Sequence, residues 1–392
     1  MKVLHVIPSL SPTQGGPSFA LPLMARGLAQ AALTIDVATT DDDGAGRHLN
    51  VPLGSAVEHE GWRVFYFRKQ TELYKASWPL HRWLARHVTD YDLIHIHALF
   101  SFTSIDAART ARSRRVPYII RPLGLLNRWG MDNRRPRLKA ISFRFIERPL
   151  LRHAAAIHYT SHAEQAEAEL AGAAGPPLIV PLGIDLDTFR NLPKSERFLD
   201  RFPQARGRMI VLFLSRLDAK KGLDLLLPAF ASVREAVPEA LLVIAGEGDE
   251  PYVTSLRAQA TRLGIERDVV WTGYLSGGDK LSAFNAATVF VLSSYSENFG
   301  IALVEALAAG LPCVTTDGVA VSEHVRKYDA GLVVPCEVAP LGTALARVLA
   351  DAGLRTRLSA GARRLADERF SLDVMTSSLV AAYRRILTEC GK

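Results

Sequence analysis

Three cysteines in 392 residues, Cys313, Cys336 and Cys390, are odd in number and widely spaced, so no disulfide framework is expected. None belongs to a C-x-x-C pair, which removes the usual zinc and dithiol signatures. No apolar run reaches the length of a membrane span. The start Met1-Lys2-Val3-Leu4-His5-Val6-Ile7 is too short and too interrupted for a signal peptide, and a cytoplasmic location is expected. A Walker-type G-x-x-x-x-G-K-[ST] is missing, which excludes a P-loop ATPase. Gly246-Glu247-Gly248-Asp249-Glu250 lacks the third glycine of a dinucleotide fingerprint and points only weakly to NAD. What remains, 48% hydrophobic and 22% charged, is enough for two ordinary domains, each with its own core.

The net charge of +7 is unevenly spread. Between Arg109 and Arg152 stand thirteen Lys or Arg against Asp132 and Glu147, a local +11 that leaves −4 for the rest of the chain. Such a patch attracts polyanions: nucleic acid, acidic lipid headgroups or a diphosphate-bearing acceptor. Leu125, Leu126, Trp129, Ile141, Phe143, Phe145 and Ile146 interleave with it, a mixture suited to an anionic membrane surface. A solvated basic face is the plainer alternative. No recognition module or base-stacking pattern accompanies the charge, so nucleic acid is not an expected partner.

Short β-branched runs alternate with helical stretches, which implies mostly parallel sheets. The first series of strands is expected at Val3 to Ile7, Ile35 to Thr39, Arg63 to Phe67, Leu93 to His97, Tyr118 to Ile120, Ala156 to Tyr159 and Leu178 to Val180. The second is expected at Ile210 to Leu214, Leu241 to Ala245, Val269 to Trp271, Val289 to Leu292, Pro312 to Thr315 and Gly331 to Val334. The fold class is therefore α/β: two doubly wound Rossmann-like domains facing a cleft, over 1–185 and 207–370. A linker over 186–206 joins them, and a terminal helical stretch over 371–392 has no strand to accompany it.

Candidate chemistry gathers where strands end. Glu305 is the only ionisable residue between Phe299 and Pro312, in a short helix that is apolar on nearly every face. Burial disfavours a carboxylate unless donors or a cation meet it, so Glu305 pairs with a neighbour or receives a ligand's hydroxyl groups. Glu297 precedes it by eight positions, in a polar loop after an apolar strand. Eight residues of helix would span about 12 Å, so the two acids suit different parts of one extended ligand rather than a tight acid and nucleophile pair.

Arg216, Lys220 and Lys221 lie between a strand and the helix led by Asp224-Leu225, and cations are disfavoured at a helix N-terminus unless an anion sits among them. Surface solubility is the alternative. Gly15 and Gly16 follow the first strand and let a ligand approach the backbone. His95 and His97 share one face of a strand and end it, as structural or ligand-binding histidines. Two histidines are too few for a metal site. Asp41-Asp42-Asp43, followed by Gly44 and Gly46, reads as a solvated loop. No metal is assigned.

Ser296-Glu297-Asn298-Phe299-Gly300 with Glu305 resembles the E-x7-E motif of the retaining nucleotide-sugar glycosyltransferases grouped as glycosyltransferase family 4, which have the two-domain GT-B fold. Gln14-Gly15-Gly16, Asp92 to His97, Pro181 to Asp185, Ser215 to Gly222, Gly246-Glu247-Gly248, Gly273 and Ala308 to Pro312 agree with that family in order, over nearly the whole chain. The resemblance implies that Arg216 and Lys221 neutralise the donor diphosphate and that Glu305 holds the ribose. It gives Glu297, with the backbone of Asn298, Phe299 and Gly300, the donor sugar. Gly16 would approach phosphate and sugar from the other domain, and the last helix would cross back onto the first domain. Gly15, Gly246 and Tyr274 complete the expected donor site, Tyr274 near the base.

Many relatives place a histidine where Leu123 stands here. That assignment therefore fails, and Arg121 joins His97 as an acceptor-side candidate. The implied activity is a metal-independent hexosyl transfer of the EC 2.4 class, with retention and no cofactor. The donor is a nucleoside-diphosphate sugar. The acceptor is lipid-linked or a polysaccharide precursor at the inner membrane face. A glycoside hydrolase would need its carboxylates to flank one bond and has no use for Arg216 and Lys221.

Overall fold

The computed structural model describes residues 1–127, 129, 131 and 136–391. Met1–Gly183 with Leu372–Lys392 forms one unit and Ile184–Ser371 the other. Arg128, Asp132, Arg134 and Arg135, all counted in the basic segment, lie outside the described residues.

In the first unit the strands are β1 (Lys2–Ser9), β2 (Thr34–Thr40), β3 (Ala56–His59), β4 (Trp62–Phe67), β5 (Leu93–His97), β6 (Tyr118–Arg121), β7 (Ala156–Tyr159) and β8 (Pro177–Ile179). They lie in the order β3-β4-β2-β1-β5-β6-β7-β8. Every pair is parallel except β3 with β4. β3 is absent from the strands expected above because Ala56-Val57-Glu58-His59 has little apolar character; its pairing with β4 makes it an edge strand. The central strands are covered on both faces, so Val3, Leu4, Val6, Ile94 and Ile96 are all fully buried, each worth about 1.5–3 kcal/mol.

The helix Gly16–Gln30 starts with Pro17 in its first turn. At Gly27 an added Cβ would overlap the Thr376 hydroxyl, so the helix Leu372–Glu389 lies close against it. That last helix buries Met375, Leu379, Ala382, Tyr383 and Ile386, an apolar stripe at helical spacing.

The second unit has β9 (Met209–Leu214), β10 (Ala240–Ala245), β11 (Val269–Gly273), β12 (Val289–Leu292), β13 (Cys313–Thr316) and β14 (Gly331–Val334), all parallel, in the order β11-β10-β9-β12-β13-β14. The chain builds outward from β9 in one direction and from β12 in the other. The crevice at the carboxyl ends of those two strands is the topological switch point, where α/β sheets bind ligands. The stretch 186–206 carries the helices Asp187–Arg190 and Glu196–Arg201 and belongs to this second unit, anchored by the buried Phe189 and Phe198.

Candidate active site

Three loops of the second unit converge because their backbones leave no room between them. Gly222 has φ +66°, and an added Cβ would overlap the carbonyl oxygen of Ser293. Ser293 Oγ donates to the carbonyls of Lys221 and Gly222 at 3.0 Å each, and the Tyr295 N–H donates to the Lys220 carbonyl at 2.8 Å. The loop after β9 is thereby stitched to the loop after β12. On its other side, Gly246 (φ +146°) leaves space that a Cβ would take from the Ser215 carbonyl, and the Leu217 N–H donates to the Glu247 carbonyl at 2.8 Å.

That stitching brings Lys221 to Glu297. The two form an ion pair with only 8% and 15% of their side chains exposed. Burial pushes the Glu297 carboxyl up, but Lys221, then Lys220 and Arg216, outweigh it and hold it below its ordinary value. Lys220 is held below its ordinary value by burial and by the positive charge of Lys221. Arg216 is exposed. Three cations thus stand at the start of the helix Leu223–Ala236, with Glu297 paired to Lys221 and with Asp218 and Asp224 in the adjoining turns. The Arg and Lys side chains at this helix N-terminus suit a diphosphate.

Glu305 sits on the helix Ile301–Ala308, capped by Gly300 at φ +80°. Its Oε1 accepts from Lys280 Nζ at 2.7 Å. Of the two readings open from the sequence, the protein cation is therefore present, and Lys280 has no marker in the E-x7-E pattern. Phe299 is buried edge-on against Phe370, leaving only its backbone for a ligand. Asn298 is half-buried, and Tyr274 lies exposed after β11.

In the first unit Gly15 and Gly16 open the helix after β1. The acceptor-side candidates are elsewhere than a solvent-facing site: His97 is fully buried and Arg121 is 3% exposed. Register places His5 beside His95, and His97 beside Arg121. Sequence spacing showed only two histidines; the sheet adds His5 and His158. His5 Nδ1 and His97 Nε2 are 3.0 Å apart. The Val180 carbonyl can only accept, so His158 Nε2 donates to it at 2.8 Å. His158 Nδ1 then accepts from His95 Nε2 at 3.2 Å, and His95 Nδ1 accepts from the Tyr383 hydroxyl at 2.7 Å.

Burial, with the nearby Arg121, pushes His5 down to about 3, and does the same to His158. His95 and His97 are held well below the ordinary histidine value by burial first and by neighbouring charge second. The ring nitrogens of His5, His95 and His97 lie close enough to hold a metal ion. The Arg121 charge that lowers all three equally disfavours a metal cation. Leu123 adopts φ +59° in the loop after β6.

The acidic cluster differs from its sequence reading. Asp41 and Asp42 are buried rather than solvated. Asp42 meets Lys69 at 2.9 Å and also Lys75, and Asp41 meets Arg68 at 3.0 Å and His48 at 3.1 Å. Cations about 25 to 35 residues further along the chain fill the space that Gly44 and Gly46 suggested was open.

Residues 15–183 match the family described as "Glycosyl transferase 4-like domain", and residues 195–365 match "Glycosyl transferases group 1". The chain is 34% identical over 217 residues to a phosphatidyl-myo-inositol mannosyltransferase of Mycobacterium leprae, a match covering 54% of each protein. It is 32% identical over 209 residues to a GDP-mannose-dependent alpha-(1-6)-phosphatidylinositol monomannoside mannosyltransferase of Mycobacterium tuberculosis, covering 51% of this chain and 54% of that protein. The chain thus spans about half the length of the curated relatives it matches. Its fold is shared with sucrose-phosphate synthase from Thermosynechococcus elongatus, with TM-score 0.79 and 20% identity, over 99% of this chain and 100% of the other. It is also shared with Anabaena HepE in complex with UDP and glucose, with TM-score 0.78 and 22% identity, over 98% and 99%.

Proposed function

Because the chain belongs to the group 1, glycosyltransferase 4-like family, we propose that it moves a hexose from a nucleoside-diphosphate sugar to a lipid-linked or polysaccharide-precursor acceptor, with retention of anomeric configuration and without a bound metal. The observation that carries the reading is the buried Lys221–Glu297 pair flanked by Lys220 and Arg216 at the switch point of the second sheet. A diphosphate entering there exchanges one partner for another. Lys221 turns from Glu297 to phosphate oxygens, Arg216 grips them as a planar fork, and Glu297 is released to accept a hydroxyl of the sugar.

Departure of the diphosphate leaves an oxocarbenium-like sugar. Stabilising the leaving group's charge is therefore the main demand, and the three cations and the helix N-terminus meet it. Glu305 receives the ribose hydroxyls. A glycoside hydrolase would need a carboxylic acid with a raised pKa, whereas Glu297 is lowered by its lysine.

The curated relatives' names support a mannosyl donor and a lipid acceptor. Among the described residues no helix is long and apolar enough to cross a membrane. Leu138, Ile141 and Phe145 nevertheless recur at helical spacing on an exposed face, with Arg137 and Arg144 beside them and Arg109 and Arg112 exposed on the neighbouring helix. An apolar stripe rimmed by cations supports docking on the anionic inner face of a membrane.

The test is incubation with GDP- and UDP-sugars and NMR of the product linkage. A retained anomeric configuration is expected, insensitive to chelator. An inverted linkage overturns the mechanism, and cleavage of simple glycosides without nucleotide overturns the function.

A further inference from the structure

The second unit holds two Lys–Glu pairs at its strand ends, and only one of them lies within the E-x7-E and Arg–Lys motifs. Lys280 Nζ meets Glu305 Oε1 at 2.7 Å, with 25% and 14% of the side chains exposed. Lys280 stands in the first turn of the helix Gly277–Ala286, where the helix dipole disfavours a cation. Its backbone is held in place from outside. Neighbouring Asp279 accepts from Arg197 at 2.6 Å and Arg201 at 2.7 Å, Asn285 donates to the Pro193 carbonyl at 2.9 Å, and an added Cβ at Gly278 would crowd the Arg197 guanidinium. On the other side, Leu303, Val304, Ala306 and Leu307 bury the helix that carries Glu305. Both ends of the pair are therefore rigid.

The pair uses one carboxylate oxygen. The lysine meets Oε1 of Glu305, and a carboxylate with one oxygen so occupied can still accept from two hydroxyls on the other. We propose that Lys280 is a positioning residue for the nucleotide: it locks the Glu305 rotamer and leaves Oε2 aimed at the vicinal hydroxyls of the ribose. The inference rests on the reading that Glu305 receives the ribose. The two pairs then differ in kind. Lys221–Glu297 opens when a ligand arrives, whereas Lys280–Glu305 stays closed.

Titration calorimetry on the full chain with GDP, UDP and their 2′-deoxy and 3′-deoxy forms tests this. Wild type is expected to prefer the ribonucleotides. Glu305→Gln loses that preference. Lys280→Met weakens ribonucleotide binding about tenfold, the scale of one hydrogen bond to a charged group, while deoxynucleotide binding stays near wild type. Lys280→Arg restores most of the preference, and Lys280→Gln serves if the methionine variant does not fold.

If Glu305→Gln loses the preference and Lys280→Met keeps it, the role of Lys280 is overturned and that of Glu305 stands. Equal weakening of ribo and deoxy forms by Lys280→Met makes the lysine structural and overturns it too. If wild type shows no preference, or Glu305→Gln retains it, the ribose reading and the inference fall together.

Discussion

The histidine cluster of the first sheet and the Lys–Glu pairs of the second unit are both buried ionisable groups, and the two handle charge in opposite ways. On β1, β5 and β7 the first unit gathers His5, His95, His97 and His158 in full burial and keeps them neutral, His95 and His158 in a hydrogen-bond chain that ends on the Val180 carbonyl and His5 and His97 as a separate pair. The second keeps Lys221 and Lys280 charged, each against one glutamate. A neutral buried ring contributes to packing and has no charge to offer a ligand. A paired cation beside a crevice can change partners without being desolvated again. On the proposed reading, burial alone does not make a ligand site; the difference lies in a cation, Lys221, whose partner a ligand can replace.

The largest effect should come from breaking the charged side of that contrast. Lys221→Ala and Arg216→Ala are each expected to lower kcat/KM for the nucleotide sugar by about 10²–10³-fold, the scale of losing one preorganised stabiliser of developing charge, measured by initial rates. Glu297→Leu should leave Lys221 buried without a partner and lower unfolding stability by about 3 kcal/mol, whereas the double variant Lys221→Met, Glu297→Leu should recover most of that stability and none of the activity. Urea melts with parallel rate assays separate the two; recovery of activity would show that the pair is structural.

The neutral side is broken by acid. With the histidine pKa depressed in the folded state, the unfolded chain binds more protons between pH 6.5 and about 3. The stability from these rings is fully present above pH 6.5 and is lost as pH falls through that window, by about 2 kcal/mol per ring at pH 5. Hydrogen exchange followed against pH should show the first unit opening well before the second. A smaller change is Tyr383→Phe, which strands His95 Nδ1 and should cost about 1–3 kcal/mol at neutral pH, read as a lower melting temperature. Smallest is Phe145→Ser, expected to weaken sedimentation with anionic vesicles about tenfold, from the apolar area removed, without changing rates on a soluble acceptor.

Much of the architecture was legible beforehand because it is local. Apolar runs bounded by glycine and proline locate β1, β9 and β12, and Gly300 with Gly310 bounds the helix of Glu305. The candidate residues Arg216, Lys221, Glu297 and Glu305 were legible through spacing and motif. Their partners were not. Lys280 has no motif, β3 has no apolar signature, and Asp42 looked solvated because the lysines that bury it come from the segment after β4.

By itself the chain's sequence determined the rhythm of strand, loop and helix and the residue types at each strand end, since side-chain periodicity and backbone preference act over a few neighbours. Only the tertiary structure decided which ends meet. Lys221 reaches Glu297 across 76 positions because β9 lies beside β12, and His95 meets Tyr383 across 288 because the last helix packs on the first sheet. Strand order is set by burying every apolar face at once, a condition that no local stretch contains.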